Sequence, residues 1–206
     1  MNVQHPHRWV RRGSWGLMGA AMLIAAYALT LVAYQGYRQH HLLADWDRLH
    51  PPQSIPLTGS TPATVVLAGH PHLAGGRPIF RLAIPSIHVE SIVTEGIDGG
   101  ILSSGPGHDP HTGYPGEGGL ILVGNHNGFS LSWGDLRPGD EVRLDAGYGS
   151  FAYRIARRTV VGGDDRAYID RPRDAETLAL VTCWPLWQGA FARQRLVLEA
   201  TPVAST

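Results

Sequence analysis

Residues 15–34 read WGLMGAAMLIAAYALTLVAY, twenty consecutive positions without a charge. At 1.5 Å rise per residue this run makes about 30 Å of helix, the thickness of one bilayer core. Arg8, Arg11 and Arg12 precede it, whereas Arg38 and Arg48 follow it and are offset by Asp45 and Asp47. Basic residues favour the cytoplasmic side, so the N-terminus is expected inside and the rest of the chain outside. Tryptophan and tyrosine at both ends of the run suit the two interfaces. A cleavable signal peptide is the competing reading, because Ala26-Tyr27-Ala28 has the small-x-small pattern of a cleavage site. The run is long for a signal sequence and continues past that site, which favours an uncleaved anchor. The expected organisation is a cytoplasmic tail (1–14), a single transmembrane anchor (15–37), an extracytoplasmic stalk (38–77) and a folded domain (78–206) at the outer side of the cytoplasmic membrane.

The stalk assignment rests on composition: residues 50–78 are rich in Pro, Gly, Ser and Thr and lack a sustained period. Residues 64–67 are a candidate short strand within it. The formal net charge is zero, so no field of one sign calls for a nucleic-acid partner. All 17 basic side chains are arginine, which removes lysine from the possible bases and nucleophiles. One cysteine, Cys183, excludes an intrachain disulfide and any cysteine-cluster metal site.

From residue 79 onward, short β-type runs alternate with turn signals, the pattern of an all-β domain closed into a barrel. The predicted strands are 80–84, 88–93, 120–123, 141–145, 149–161, 178–182 and 195–200, with turns at Pro85, Gly99-Gly100, Gly118-Gly119, Pro138-Gly139, Gly147 and Gly162-Gly163. Helical signals are few: residues 131–136 and a turn after Arg173-Asp174. Two runs, LILV at 120–123 and TLALVT at 177–182, are apolar without alternation, as expected of central strands buried on both faces. The first leads into Gly124-Asn125-His126-Asn127, the second into Cys183-Trp184-Pro185, and a third strand begins at Arg195.

A cysteine thiol is mostly protonated at neutral pH, but an imidazole beside it can take the proton or favour the thiolate by charge. Attack on an amide then develops a negative oxygen, for which a guanidinium is a permanently charged donor. His126, Cys183 and Arg195 could therefore form an acyl-transfer site. The plainer reading of each is a buried core thiol, a histidine capping a turn and a surface arginine on an edge strand.

Together these stretches resemble the sortases, the membrane-anchored cysteine transpeptidases. TLALVTCWP is similar to the sortase TLxTC motif, and QRLVLEA to the strand carrying the sortase arginine. LSSGPGHDPHTGYPGEGGLILVG at 102–124 resembles the corresponding stretch of class D-like and related sortases. IPSIHVESIVTEGID at 84–98 resembles their early strand pair, and GDLRPGDEVRL at 134–144 the segment after the catalytic histidine. The resemblance covers residues 79–200 in the right order. It implies a closed sortase-like β-barrel with short helices. It also implies cleavage of a C-terminal sorting signal of exported proteins through a thioacyl enzyme. Transfer would follow to an amine acceptor, a peptidoglycan precursor or a pilin. The implied roles are Cys183 as nucleophile, His126 as acid and base, Arg195 as oxyanion donor, and Thr182, Trp184 and Asn125 as substrate-binding residues, with Trp187 and the loop 184–194 shaping a groove.

One departure concerns the histidine. Counting forward from Pro115-Gly116-Glu117 places His126 at the catalytic position, whereas counting back from GDLRPGD favours Asn125. Asparagine cannot ionise, so His126 is assigned; His108 is the reserve imidazole. The histidine pairs 5/7, 40/41, 70/72 and 108/111 lack metal-ligand spacing, and no metal is expected. Asp98, Glu117 and Asp135 are candidates for Ca²⁺ without forming a recognisable calcium loop. No other cofactor is expected. Two alternatives remain at this point: a catalytically silent, membrane-tethered peptide-binding domain, and a hydrolytic cysteine peptidase using the same three residues.

Overall fold

The computed structural model describes residues 7–50, 75–126 and 130–203. The chain divides into two units, one ending at Tyr37 and one beginning at Arg38. Helix α1, His7–Leu49, supplies the described part of the first unit and the start of the second. In the first unit its apolar side chains are exposed on all sides, Trp15, Leu17, Leu23, Tyr27 and Leu29 among them. A helix apolar all round finds burial only in a membrane or a large core, and this one is long and apolar enough to be a candidate transmembrane span.

The helix does not stop where the stalk assignment began. Residues 38–49 carry neither Gly nor Pro, and the helix ends just short of Pro51-Pro52, where proline disfavours the helical conformation of the residue before it. Within the second unit these last turns are tied to the barrel. The Gln39 side chain accepts from Ile92 N and donates to Ser104 O, both at 2.9 Å. Trp46 is buried, and Asp47 pairs with Arg81 at 2.7 Å. The candidate strand at 64–67 lies outside the described residues.

Eight strands form the barrel: β1 Pro78–Ile84, β2 Val89–Glu95, β3 Gly107–His108, β4 Leu120–Asn125, β5 Glu141–Asp145, β6 Ser150–Gly162, β7 Thr177–Trp184 and β8 Gln194–Pro202. Their order is β1-β2-β3-β4-β7-β8-β6-β5, closed by pairing of β5 with β1. Closure leaves no free sheet edge. All seven strands expected from the sequence are present. His88 falls outside β2: it takes a left-handed conformation (φ 52°) after the 3-10 turn Pro85–Ile87. The additional strand, β3, is two residues long and offers no periodicity to read. Its Gly107 is needed for close approach, since a Cβ there would lie 2.1 Å from the Gly96 carbonyl oxygen.

Short helices are α2, Gly99–Leu102, capped by the Asp98 carboxylate, and α3, Ala167–Asp170. Residues 131–135 form a 3-10 turn that sinks Trp133 completely into the core. No turn follows Arg173-Asp174; the helical turn of that connection is α3, ahead of it.

Side chains of β4, β7 and β8 separate into two clusters. Ile121, Val123, Leu178, Leu180, Leu196 and Leu198 join Phe80, Trp133 and Tyr153 inside the barrel. Leu122, Ala179, Val181 and Val197 form a second patch on the outer face, against which Tyr168 and Ile169 of α3 pack. These three strands are apolar on both sides, which explains the absence of alternation in LILV and TLALVT.

Candidate active site

Strands β4 and β7 run parallel, with Asn125 opposite Thr182; β7 and β8 run antiparallel, with Cys183 opposite Arg195. Register alone therefore brings the next residue of the first strand, His126, level with Cys183 and Arg195 across three neighbouring strands. Side chains alternate between the faces of a strand. Odd positions of β4 and even positions of β7 and β8 fill the barrel, so Asn125 and Thr182 belong to the interior, and Cys183 and Arg195 to the outer face. Burial agrees: Asn125 is 5% exposed and Thr182 2%, whereas His126 is exposed and Cys183 and Arg195 are half-buried. Asn125 thus belongs to the inward-facing set, and His126 follows it, exposed, at the strand end level with Cys183.

Arg195 Nη1 donates to the carbonyl oxygens of Ala192 (3.2 Å) and Gln194 (2.9 Å). Its Nε and Nη2 have no partner among the described residues. Beside it, burial pushes the Tyr168 hydroxyl above the usual tyrosine range, and the Arg195 and Arg166 charges oppose that shift. The outer apolar patch makes a floor leading to the thiol, and α3 is held over it by charge. Arg173 donates to the carbonyl oxygens of Tyr168, Ile169 and Arg171, and it lies 3.7 Å from Glu199. Glu199, nearly buried, also pairs with Arg171 and Arg157.

Of the residues read as substrate-binding, Thr182 and Asn125 lie beneath the outer face. Trp184 is half-buried, packs on the barrel core and carries the Arg158 guanidinium 5.1 Å from its ring centroid. Trp187, by contrast, is 81% exposed on the 3-10 turn Leu186–Phe191.

The reserve imidazole, His108, is fully buried in β3, 3.3 Å from Glu95 and 3.0 Å from the Gly113 carbonyl oxygen. Tyr114 completes that cluster by donating to Glu95 at 2.9 Å. Asp98 Oδ1 accepts from Gly100 N and Ile101 N, and Glu117 Oε2 from Tyr114 N, so both carboxylates have local structural partners. Among the described residues no three His, Cys, Asp or Glu side chains gather as a metal site.

The sequence reading passed over Ser130, which is fully buried between the histidine turn and β7. A hydroxyl four residues after the histidine was its only trace. It also passed over Arg173, which ties the carbonyl oxygens of Tyr168, Ile169 and Arg171 to Glu199 of β8.

Known proteins resemble this chain in sequence and fold. The sortase domain family matches residues 82–203. Sortase D of Bacillus subtilis (strain 168) is 35% identical over 118 residues, covering 57% of this chain and 60% of that protein. The chain thus spans less than two thirds of that relative. Among solved structures, a Clostridium perfringens sortase D5 transpeptidase superposes with a TM-score of 0.59 at 24% identity, over 64% of this chain and 82% of that one. Sortase A from Corynebacterium diphtheriae gives 0.56 at 22% identity, over 63% and 62%. These two likenesses speak for the fold. The matched domain accounts for more than half of the sequence, and the chain belongs to the sortase family.

Proposed function

We propose that this chain is a membrane-anchored transpeptidase that cuts a C-terminal sorting signal from exported proteins and joins them to an amine acceptor, a peptidoglycan precursor or a pilin. The observation carrying this reading is the register that sets His126, Cys183 and Arg195 level on adjacent strands, above an outer apolar floor. An extended peptide lying on that floor presents its backbone carbonyl to the Cys183 sulfur. The Cys183 thiol gives its proton to His126 as sulfur forms a bond to the carbonyl carbon, and the oxyanion meets the Arg195 N–H groups. As the C–N bond breaks, His126 gives its proton to the leaving amine, and a thioester remains on Cys183. The incoming amine attacks that thioester, gives a proton to His126, and releases the product as the thiolate departs. Electron pair, proton and charge all come from side chains, so the reading calls on no cofactor. Arg8, Arg11 and Arg12 ahead of the apolar helix support an orientation with the N-terminus inside and the barrel outside the cytoplasmic membrane.

The test uses the full chain in detergent and a pool of peptides varied around an internal threonine. Mass spectrometry should find an acyl adduct on Cys183, and an added amine should divert the product from acid to amide. No adduct, or equal turnover by Cys183→Ala, overturns the proposal. An adduct whose product stays an acid whatever amine is present makes the protein a hydrolytic peptidase instead.

A further inference from the structure

We infer that Ser130 is a positioning residue for the reaction, holding the His126 backbone at a fixed separation from Cys183 through a buried hydroxyl relay. Ser130 stands four residues after His126, and both its backbone N–H (3.3 Å) and its hydroxyl (3.0 Å) reach the His126 carbonyl oxygen. The same hydroxyl lies 2.5 Å from the Thr182 hydroxyl, across 52 residues of sequence. Ser130 is fully buried and Thr182 is 2% exposed, so no water competes for these bonds.

Proton counting fixes the direction of the relay. A serine hydroxyl has one hydrogen and accepts through its lone pairs. With that hydrogen given to the His126 carbonyl oxygen, the short contact to β7 must be a bond donated by Thr182. The relay therefore runs from Thr182 to Ser130 to the His126 carbonyl oxygen. It joins the residue before the thiol to the residue bearing the imidazole. β4 ends at Asn125, so the ladder bonds that set the register of β4 and β7 stop one residue short of the histidine. The relay continues the connection one step further by side chains. Neighbouring Trp133 is fully buried in the interior cluster.

This inference rests on His126 and Cys183 being base and nucleophile, and the experiment separates the two. Saturable inactivation of the full chain by a peptidyl electrophile gives a maximal rate and a half-saturating concentration without knowledge of the natural substrate. Ser130→Ala should lower the maximal rate about tenfold or more, as displacements near 1 Å do in catalytic sites. The half-saturating concentration should stay within about twofold, because the outer floor is untouched. Ser130→Thr should recover most of the rate, since it keeps the hydroxyl. Where Ser130→Ala fails to fold by circular dichroism, Thr182→Val breaks the same relay from its other end at nearly constant shape. If His126→Ala slows inactivation while the folded relay variant does not, the inference on Ser130 falls and the catalytic reading stands. If neither slows it, the catalytic reading falls and takes the inference with it. Equal rates for Ser130→Ala and Ser130→Thr also overturn the relay.

Discussion

Leu180 and Val181 are neighbours on β7, yet one faces the sealed interior of the barrel and the other a patch of four buried residues partly roofed by α3. Both faces are apolar, but they do different work. The interior cluster joins residues from β1, β2, β4, β5, β6, β7 and β8 and holds the barrel shut. The outer patch is small, and the row of His126, Cys183 and Arg195 continues its surface. Its residues are buried with Tyr168 and Ile169 packed over them, and Val181 stands two positions before Cys183 on the same face.

Four substitutions test how cleanly the two faces divide stability from chemistry. Leu180→Ala should cost about 2–5 kcal/mol by chemical denaturation, because a fully enclosed site cannot collapse around the lost atoms. A cost below 1 kcal/mol would mean the interior is loosely packed. Arg195→Ala, on the outer face, should slow acylation about 10²–10³-fold, roughly 3–4 kcal/mol of barrier, with the unfolding midpoint unchanged. A variant that unfolds instead would place Arg195 among the structural residues.

Tyr153 sharpens the interior side by its response to pH. Burial, aided by its 2.6 Å bond to Glu176, pushes its hydroxyl well above the usual tyrosine range. Folded Tyr153 keeps its proton where an unfolded tyrosine, near pH 10, releases it. Its contribution is thus complete below about pH 10 and is lost as pH rises beyond. Tyr153→Phe should cost about 1.5–3 kcal/mol at neutral pH and flatten the alkaline decline of stability. An unaltered alkaline limb would assign that decline to other groups. The smallest stability effect is expected for Val181→Ala, about 1.5 kcal/mol from two lost methyl groups, with a larger rise in the half-saturating concentration of peptide than Leu180→Ala produces in folded protein.

Much of this was legible in the residues. Apolar runs and turn signals located seven of the eight strands, and the strand-end cluster pointed to His126, Cys183 and Arg195. What escaped depends on pairs distant in sequence. The continuation of α1 to Leu49 is supported by Gln39 bonding to β2, and β3 exists because Gly107 can approach Gly96 closely. Asn125 and His126 could not be separated by counting, since length can change on either side. Strand parity separates them, and parity needs the partner strand. Ser130 was invisible because a serine in a polar turn carries no signal until Thr182 comes within bonding distance.

The parallel pairing of β4 with β7, set beside antiparallel β8, has a consequence for engineering. Backbone hydrogen bonds set Asn125 opposite Thr182 and Cys183 opposite Arg195, and Ser130 ties His126 one step beyond the ladder. The β6–β7 connection is accordingly the one to vary in length for altered peptide admission, whereas the β7–β8 connection must keep the Ala192 carbonyl that receives Arg195.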